Sequence, residues 1–290
     1  MSTSNQHAPL QTSYPIDPEN VHEMDRLTNQ ARFLTETTGL LPPQVLLAVK
    51  QTIVDVGCGP GEWVLAIARQ HPACRVVGLD ISQRMITYAR ACAQVQRLPN
   101  AHFEVANACE ALPFPNNSCD LIHARLVTGF LSTTTWPGFL KECFRILRPG
   151  GILCNIELEN MGDTNSPALT HYNSLLVQSM RLGQRCFTEA GDRIGITLQQ
   201  TSLLQQSGFS PVYQQPHVLN YSAGTPAHLP MVEDFAELMQ LIQPVLLRDN
   251  LIKQEELSLL YLECMRQMHA SDFYAVLFLQ TAWGIKPANT

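Results

Sequence analysis

Apolar positions along this chain change period several times, and each change marks an element. Residues 52–56 (Thr-Ile-Val-Asp-Val) form a near-continuous β-branched run, the pattern of a parallel strand covered on both faces. Glycines 57, 59 and 61 then break the run, and 62–70 follows with helical spacing. Shorter apolar runs predict strands at 75–79, 102–106, 121–124 and 152–159. Between them the spacing predicts helices from Ser82 to about residue 94 and over 136–147, the latter stopped by Pro149-Gly150-Gly151. A further helix over 41–50 is predicted to lead into the first strand. Strands alternating with helices predict a parallel α/β sheet.

The two flanks read differently. Residues 1–15 are polar and are expected to be mobile. Asp17-Pro18-Glu19 has the form of a helix start, and Val21, Met24, Leu27, Ala31 and Leu34 mark one face to about residue 37. That helix either packs at the domain edge or caps a ligand. Past Asn160, helices are predicted over 167–185 and 196–207, and strands over 211–221 and 272–283. About fifty residues separate those two strands, where a minimal fold needs a hairpin. They look helical: Val232, Phe235, Met239 and Ile242 share a face, and Leu257, Leu260, Tyr261, Cys264, Met265 and Met268 form a stripe. Core, substrate lid and dimer face all fit such a stripe. As a lid, 225–268 is expected to be removable with cofactor binding spared and turnover lost.

The chemistry centres on Val54-Asp55-Val56-Gly57-Cys58-Gly59-Pro60-Gly61. Glycines let the backbone turn sharply and approach a ligand, and the next helix presents unpaired N–H groups there. The spacing is Gly-x-Gly-x-Gly, not the Gly-x-Gly-x-x-Gly of dinucleotide sites, which argues against an NAD-dependent dehydrogenase. Asp80 ends the second strand, 19 residues past Gly61, where a carboxylate accepts hydrogen bonds from both hydroxyls of a ribose. Together they describe a nucleoside site whose other end carries a carboxylate rather than a pyrophosphate.

These residues, with Gly78-Leu79-Asp80-Ile81-Ser82, resemble the first two motifs of class I S-adenosylmethionine-dependent methyltransferases. Leu112-Pro113-Phe114-Pro115, Cys119-Asp120-Leu121-Ile122 and Leu147-Arg148-Pro149-Gly150-Gly151 are similar to the later ones, over about residues 45–160. The resemblance implies a Rossmann-like, doubly wound, seven-stranded, mostly parallel sheet with an N-terminal helical cap and helical insertions in the C-terminal half. It implies a tail and cap helix over 1–40, an S-adenosylmethionine-binding core over 41–160, and the remainder of the sheet over 161–290, with substrate-lid insertions at about 161–190 and 222–270. The cofactor-binding residues it implies are Tyr14, Gln30, Asp55, Gly57, Cys58, Gly59, Gly61, Asp80, Ile81, Met85, Asn107, Ala108 and Arg125, with Arg26 a further polar contact from the cap. Asn107 sits where the family often has an Asp facing the adenine amino group. Met85 packs beside adenine or in the core. Arg125 binds the methionine carboxylate or a substrate acid, or is a surface residue.

The catalytic residue is not fixed by the motifs. Glu157 and Glu159 alternate on one face at the end of the fifth strand, able to orient an amine or accept a proton, or simply solvated or paired with Arg. His171 and Tyr172 are candidates to line a pocket. His123 lies inside the strand pattern and reads as a core residue. The residues His123-Ala124-Arg125-Leu126 replace the Asn/Asp-Pro-Pro-aromatic motif of amino-methylating members that act on nucleic acid or protein glutamine.

Composition narrows the partners. The 290 residues are 45% hydrophobic and 15% charged, a chain able to bury a core. No apolar run reaches the ~18 residues of a membrane span, and no signal peptide is visible, so the cytoplasm is expected. The nine cysteines form no Cys-x-x-Cys and read as buried thiols rather than disulfides or a metal site. A net charge of −6 with no basic run argues against nucleic acid. The expected function is methyl transfer to N, O or C of a small molecule, a secondary metabolite or cofactor precursor, by a monomer or homodimer. The alternative is a cofactor-binding regulatory or non-methylating protein on the same fold.

Overall fold

Burial on both faces makes the central strands. In the computed structural model, which describes residues 14–288, β1 (Thr52–Val56) is buried from Ile53 onward. Strands β2 (Arg75–Asp80) and β4 (Cys119–Arg125) flank it, parallel and equally buried. Beyond β2 lies β3 (Ala101–Val105), and beyond β4 lies β5 (Leu147–Leu158), all parallel. Strand β8 (Ala275–Ile285) is antiparallel to β5 and pairs on its other edge with β7 (Val212–Asn220). A two-residue strand, β6 (Asp163–Thr164), which the sequence does not announce, extends the β5 edge of β8. The order 3-2-1-4-5-8-7 is the expected doubly wound sheet. Its direction of winding reverses between β1 and β4, and a crevice opens there at the carboxyl ends of the strands.

Helices α2 (Glu62–Gln70), α3 (Gln83–Val95), α4 (Trp136–Ile146) and α6 (Gln200–Gln206) cover the two faces. The Arg148–Gly151 turn is held inside β5 as a bulge: Cys119 pairs with Leu147, Leu121 with Ile152, and Gly150 takes a φ of 81°. The predicted 196–207 helix is split, a 3₁₀ turn over Ile196–Leu198 preceding α6.

Three expectations are corrected. Residues 41–50 form turns, not a helix. Adjacent Pro42 and Pro43 remove two donors and force extended backbone, and Leu46 and Val49 are left exposed. The first helix, α1 (Val21–Thr38), begins after Asn20, whose side chain accepts from His22 N; Asp17 instead closes a turn onto Glu19 N. The segment between β7 and β8 is not a detachable lid. Helices α7 (His228–Arg248) and α8 (Gln254–Met268) pack with α5 (Pro167–Leu182), and Phe235, Met239, Leu246, Leu257, Cys264 and Met268 are buried in one core with Leu277 and Leu279 of β8. Removing 225–268 would strip that core, so loss of folding replaces the expected selective loss of turnover.

Most of the N-terminal stretch expected to be mobile lies outside the described residues. All nine cysteines are free, and Cys109 is exposed rather than buried. No helix among the described residues is long and apolar enough to cross a membrane.

Candidate functional site

The bend after β1 shapes one wall of a cavity of about 290 Å³ at the crevice, on the scale of small-molecule clefts, which begin at about 300 Å³. Gly57, Gly59 and Gly61 have φ of 73°, 52° and 88°, the left-handed region that glycine enters without strain. Gly57 N and Cys58 N both donate to Leu79 O, at 2.8 and 2.9 Å, which ties the bend to β2. A Cβ on Gly57 would stand 3.2 Å from the Phe130 ring. Gly61, unlike the other two, is not on the cavity wall: its missing Cβ makes room for Phe103 and Ala89, at 2.7 and 2.9 Å, behind the start of α2.

Asp80 stands at the tip of β2 and faces the cavity. Its Oδ2 accepts from Gly59 N at 2.8 Å and its Oδ1 from Ser82 N at 2.9 Å, so it fixes the bend and the start of α3. Burial pushes its pKa up, against those two bonds. Each carboxylate oxygen keeps a free lone pair for a ligand hydroxyl. Ile81, Met85, Asn107 and Ala108 continue the wall. Met85 is 2% exposed, so it is both core and wall. Asn107 is turned inward on its own loop: Nδ2 donates to Glu110 at 2.8 Å, and Oδ1 accepts from Cys109 N at 3.0 Å.

At the opposite side of the bend, Asp55 and His123 face each other across the β1–β4 register. Asp55 Oδ1 lies 2.7 Å from His123 Nδ1. The imidazole stacks on Trp63, with ring centroids 4.0 Å apart and 3° between planes. Burial lowers the His123 pKa, and Asp55 opposes the shift. The reading of His123 as plain core is therefore corrected: it is buried, but it lies at the cavity wall and holds an acid of the glycine motif. The sequence signal is two polar residues at matched positions in otherwise apolar strands, which becomes visible once β1 and β4 are known to be neighbours. Arg125 ends β4 on the same wall. Its Nη1 donates to Thr35 Oγ1 at 3.1 Å, and no carboxylate among the described residues forms an ion pair with it. Burial lowers its pKa, and Asp55 again opposes.

Glu157, near the end of β5, also lines the cavity. The residue is 1% exposed, and no cation among the described residues forms an ion pair with it. Oε1 accepts from Val127 N at 2.9 Å and from Asn155 Nδ2 at 3.0 Å. Gln200 Nε2 fixes Asn155 in turn, 2.7 Å from its Oδ1. Burial pushes the Glu157 pKa from 4.5 to about 7, despite the bonds that favour its charge. Glu159, two residues on, leaves the cavity and meets Arg193 and the Thr197 hydroxyl. The same wall carries the apolar Leu126, Leu158, Met161, Leu176, Met180 and Ile242, and the polar Thr128, Ser179 and Arg185.

His171 and Tyr172 are corrected as pocket residues. Helix α5 turns Leu176, Ser179 and Met180 to the cavity, while Tyr172 lies a turn earlier and donates to Met239 O of α7 at 2.8 Å. His171 is exposed.

Helix α1 crosses the mouth with Leu27, Ala31 and Leu34 on the wall, Leu27 within 3.9 Å of a Cβ built on Gly59. The sequence-predicted polar contacts Tyr14, Arg26 and Gln30 reach the cavity, but their polar ends join a buried cluster. Arg26 bonds both Glu23 oxygens at 2.8 Å and Asp234 of α7 at 3.0 Å. Tyr14 donates to Glu23 at 2.6 Å, and Gln30 to Asp234 at 3.4 Å. The cluster pins α1 to α7.

Comparison with known proteins places this architecture. Residues 53–151 match the family model described as a methyltransferase domain. A probable methyltransferase of Aspergillus luteorubrus, ltbC, is 32% identical over 134 residues, covering 43% of this chain and 46% of that protein. Methyltransferase pytC of Aspergillus terreus is 28% identical over 237 residues, 79% of this chain and 66% of that protein. The chain thus spans about half to two thirds of these relatives. The solved YcgJ protein of Bacillus subtilis shares the fold with a TM-score of 0.51 at 18% identity, covering 90% of this chain and 99% of that one.

Proposed function

We propose that this chain, a member of the class I S-adenosylmethionine-dependent methyltransferases, moves a methyl group from S-adenosylmethionine to a small, largely apolar acceptor. The observation that carries the reading is one cavity whose wall holds both the glycine bend with Asp80, Asp55 and Arg125, which suit a nucleoside joined to a zwitterion, and many apolar residues with the buried acid Glu157. The donor's ribose would lie against Asp80, its adenine against Met85 and Ala108, and its amino-acid end between Asp55 and Arg125. The open φ-positive bend accepts such a ligand because no Cβ projects from Gly57 or Gly59.

When bound, S-adenosylmethionine supplies a methyl group already activated on a positive sulfur. The protein therefore has to align the acceptor with that methyl carbon and keep water out. The apolar residues of α1, α5 and α7 serve both purposes, as a cover over the site. Glu157 takes the proton that the acceptor atom must lose, from oxygen, nitrogen or carbon. With its pKa near 7 it is poised to do so at neutral pH.

The test is formation of S-adenosylhomocysteine by the purified chain against a panel of small apolar phenols, enols and amines. Acceptor-dependent product supports the reading. Tight cofactor binding with no product from any acceptor would favour the non-methylating alternative.

A second expectation concerns the donor alone. Asp80→Ala removes two acceptors for ribose hydroxyls and frees Gly59 N and Ser82 N, which Asp80 holds. Charge-assisted bonds of this kind contribute about 1–3 kcal/mol in total, so the dissociation constant should rise roughly 5- to 150-fold. Calorimetry showing unchanged affinity would remove Asp80 from the ribose site.

A further inference from the structure

We propose that His123 is a positioning residue for the amino-acid end of the donor, acting through Asp55 and making donor affinity depend on pH. The inference rests on the reading above that S-adenosylmethionine occupies this cavity.

The geometry is a two-strand clamp. The β1–β4 register sets Asp55 beside His123, and the 2.7 Å contact engages only Oδ1 of the carboxylate. Oδ2 has no hydrogen-bond partner among the described residues, and Asp55 lines the cavity, so this oxygen is left for a ligand. The neighbouring carboxylate places the imidazole proton on Nδ1, as the donor to Oδ1. The stacked Trp63 indole fixes the ring plane, and its own Nε1 is anchored on Leu40 O at 2.8 Å. His123 Nε2 is buried without a partner among the described residues, so the ring holds Asp55 and offers the ligand no hydrogen bond of its own.

The charges at this end match a zwitterion. Arg125, without an ion-pair partner among the described residues, would face the donor's carboxylate, and Asp55 its ammonium group. With a neutral imidazole the protein's own charges there, Asp55 and Arg125, cancel. Protonation of His123 would neutralise Asp55 in an internal ion pair and leave a net positive site against the ammonium group. Buried Nε2 would then carry an unpaired N–H, which is costly and keeps the ring neutral at ordinary pH. The other groups facing the ring do not titrate in this range. Cys154, opposite it on β5, has a thiol pushed up to about 12, and the Cys58 thiol of the bend is raised well above its ordinary value. Trp63 carries no charge. Affinity for the amino-acid end should therefore fall as pH falls through the imidazole range.

The test compares two ligands by calorimetry on the whole chain, from about pH 8 to about pH 5.5. S-adenosylhomocysteine carries the amino-acid end, and 5′-methylthioadenosine lacks it. The first should weaken severalfold on acidification, less than the roughly tenfold an unshifted imidazole would give over this range because burial lowers the His123 pKa, while the second stays level. Asp80 faces both ligands alike, and repeating the comparison in Glu157→Gln removes the other cavity group that titrates in this range. His123→Asn keeps an N–H for Asp55 but does not titrate, and it should bind S-adenosylhomocysteine normally at high pH with the pH dependence gone. His123→Phe keeps the stack on Trp63 and loses the donor, and it should weaken S-adenosylhomocysteine at every pH. Equal pH profiles for the two ligands in the wild type, or an unchanged profile in His123→Asn, would overturn the role of His123. Binding of neither ligand at any pH would instead overturn the cofactor reading itself. The wild-type comparison stands alone if a variant fails to fold.

Discussion

Glu157→Gln is expected to lower methyl transfer about 10²- to 10⁴-fold, the usual contribution of a positioned base, with donor affinity nearly unchanged. The split follows from geometry. Glu157 lies on β5 and is held by Val127 N and Asn155, while Asp80, Asp55 and Arg125 lie on β2, β1 and β4. The pH profile gives an independent sign. A base works deprotonated, so wild-type kcat/KM should rise through about pH 7 as Glu157 ionises, and that rise should be absent in the variant. The fold should survive. The folded-state pKa lies above the ordinary 4.5, so the stability linked to this group is full below 4.5 and is lost as pH rises through about 7. A neutral Gln avoids that loss and keeps one oxygen for Val127 N. Stopped-time product assays with thermal melts at pH 6 and 8 (about, to bracket the transition) read both quantities. Full activity with the wild-type pH profile would remove Glu157 from the chemistry.

Arg26→Met should destabilise the protein by about 3–5 kcal/mol, the range for breaking a buried ion pair by removing one partner. Arg26 is 3% exposed and is the cation among Glu23, Asp234, Tyr14 and Gln30 in that cluster. Its removal leaves two carboxylates facing each other, both cut off from water. Urea unfolding measures the loss. Adding Glu23→Gln and Asp234→Asn to Arg26→Met should recover most of it, because neutral amides remove the uncompensated charge. A loss below about 1 kcal/mol, the range of exposed ion pairs, would mean the cluster does not hold α1 on α7. Function should follow stability here. Leu27, Ala31 and Leu34 reach the cavity on that helix, so loosening it should weaken donor binding and turnover together.

What the sequence made legible was local. The strand–bend–helix at residues 52–70 and Asp80 at the tip of β2 could be read because buried β-branched runs and φ-positive glycines act over a few residues. The carboxyl-edge location followed from the parallel sheet they imply. Contacts between distant segments were not legible. Arg26 and Asp234 stand 208 residues apart, and no local pattern announces their pairing. The apolar stripe on α1 finds the cavity face at Leu27, Ala31 and Leu34 but not the rest: Glu23 and Arg26 are buried because they satisfy each other, while Val21 is 47% exposed. His123 was read as core from its strand pattern, and only the β1–β4 register brings it to Asp55. His171 and Tyr172 failed on helical phase, since α5 offers Leu176 and Met180 to the cavity. Residues 41–50 are not helical because adjacent Pro42 and Pro43 stand at the point where the helix would start.

The central claim is that the donor lies across the carboxyl ends of β1, β2 and β4, and a calorimetric titration of the purified chain with S-adenosylhomocysteine tests it most directly. The account predicts a saturable heat at one ligand per chain, weakened by Asp80→Ala. A flat titration, with no rise in melting temperature at saturating ligand, would contradict it.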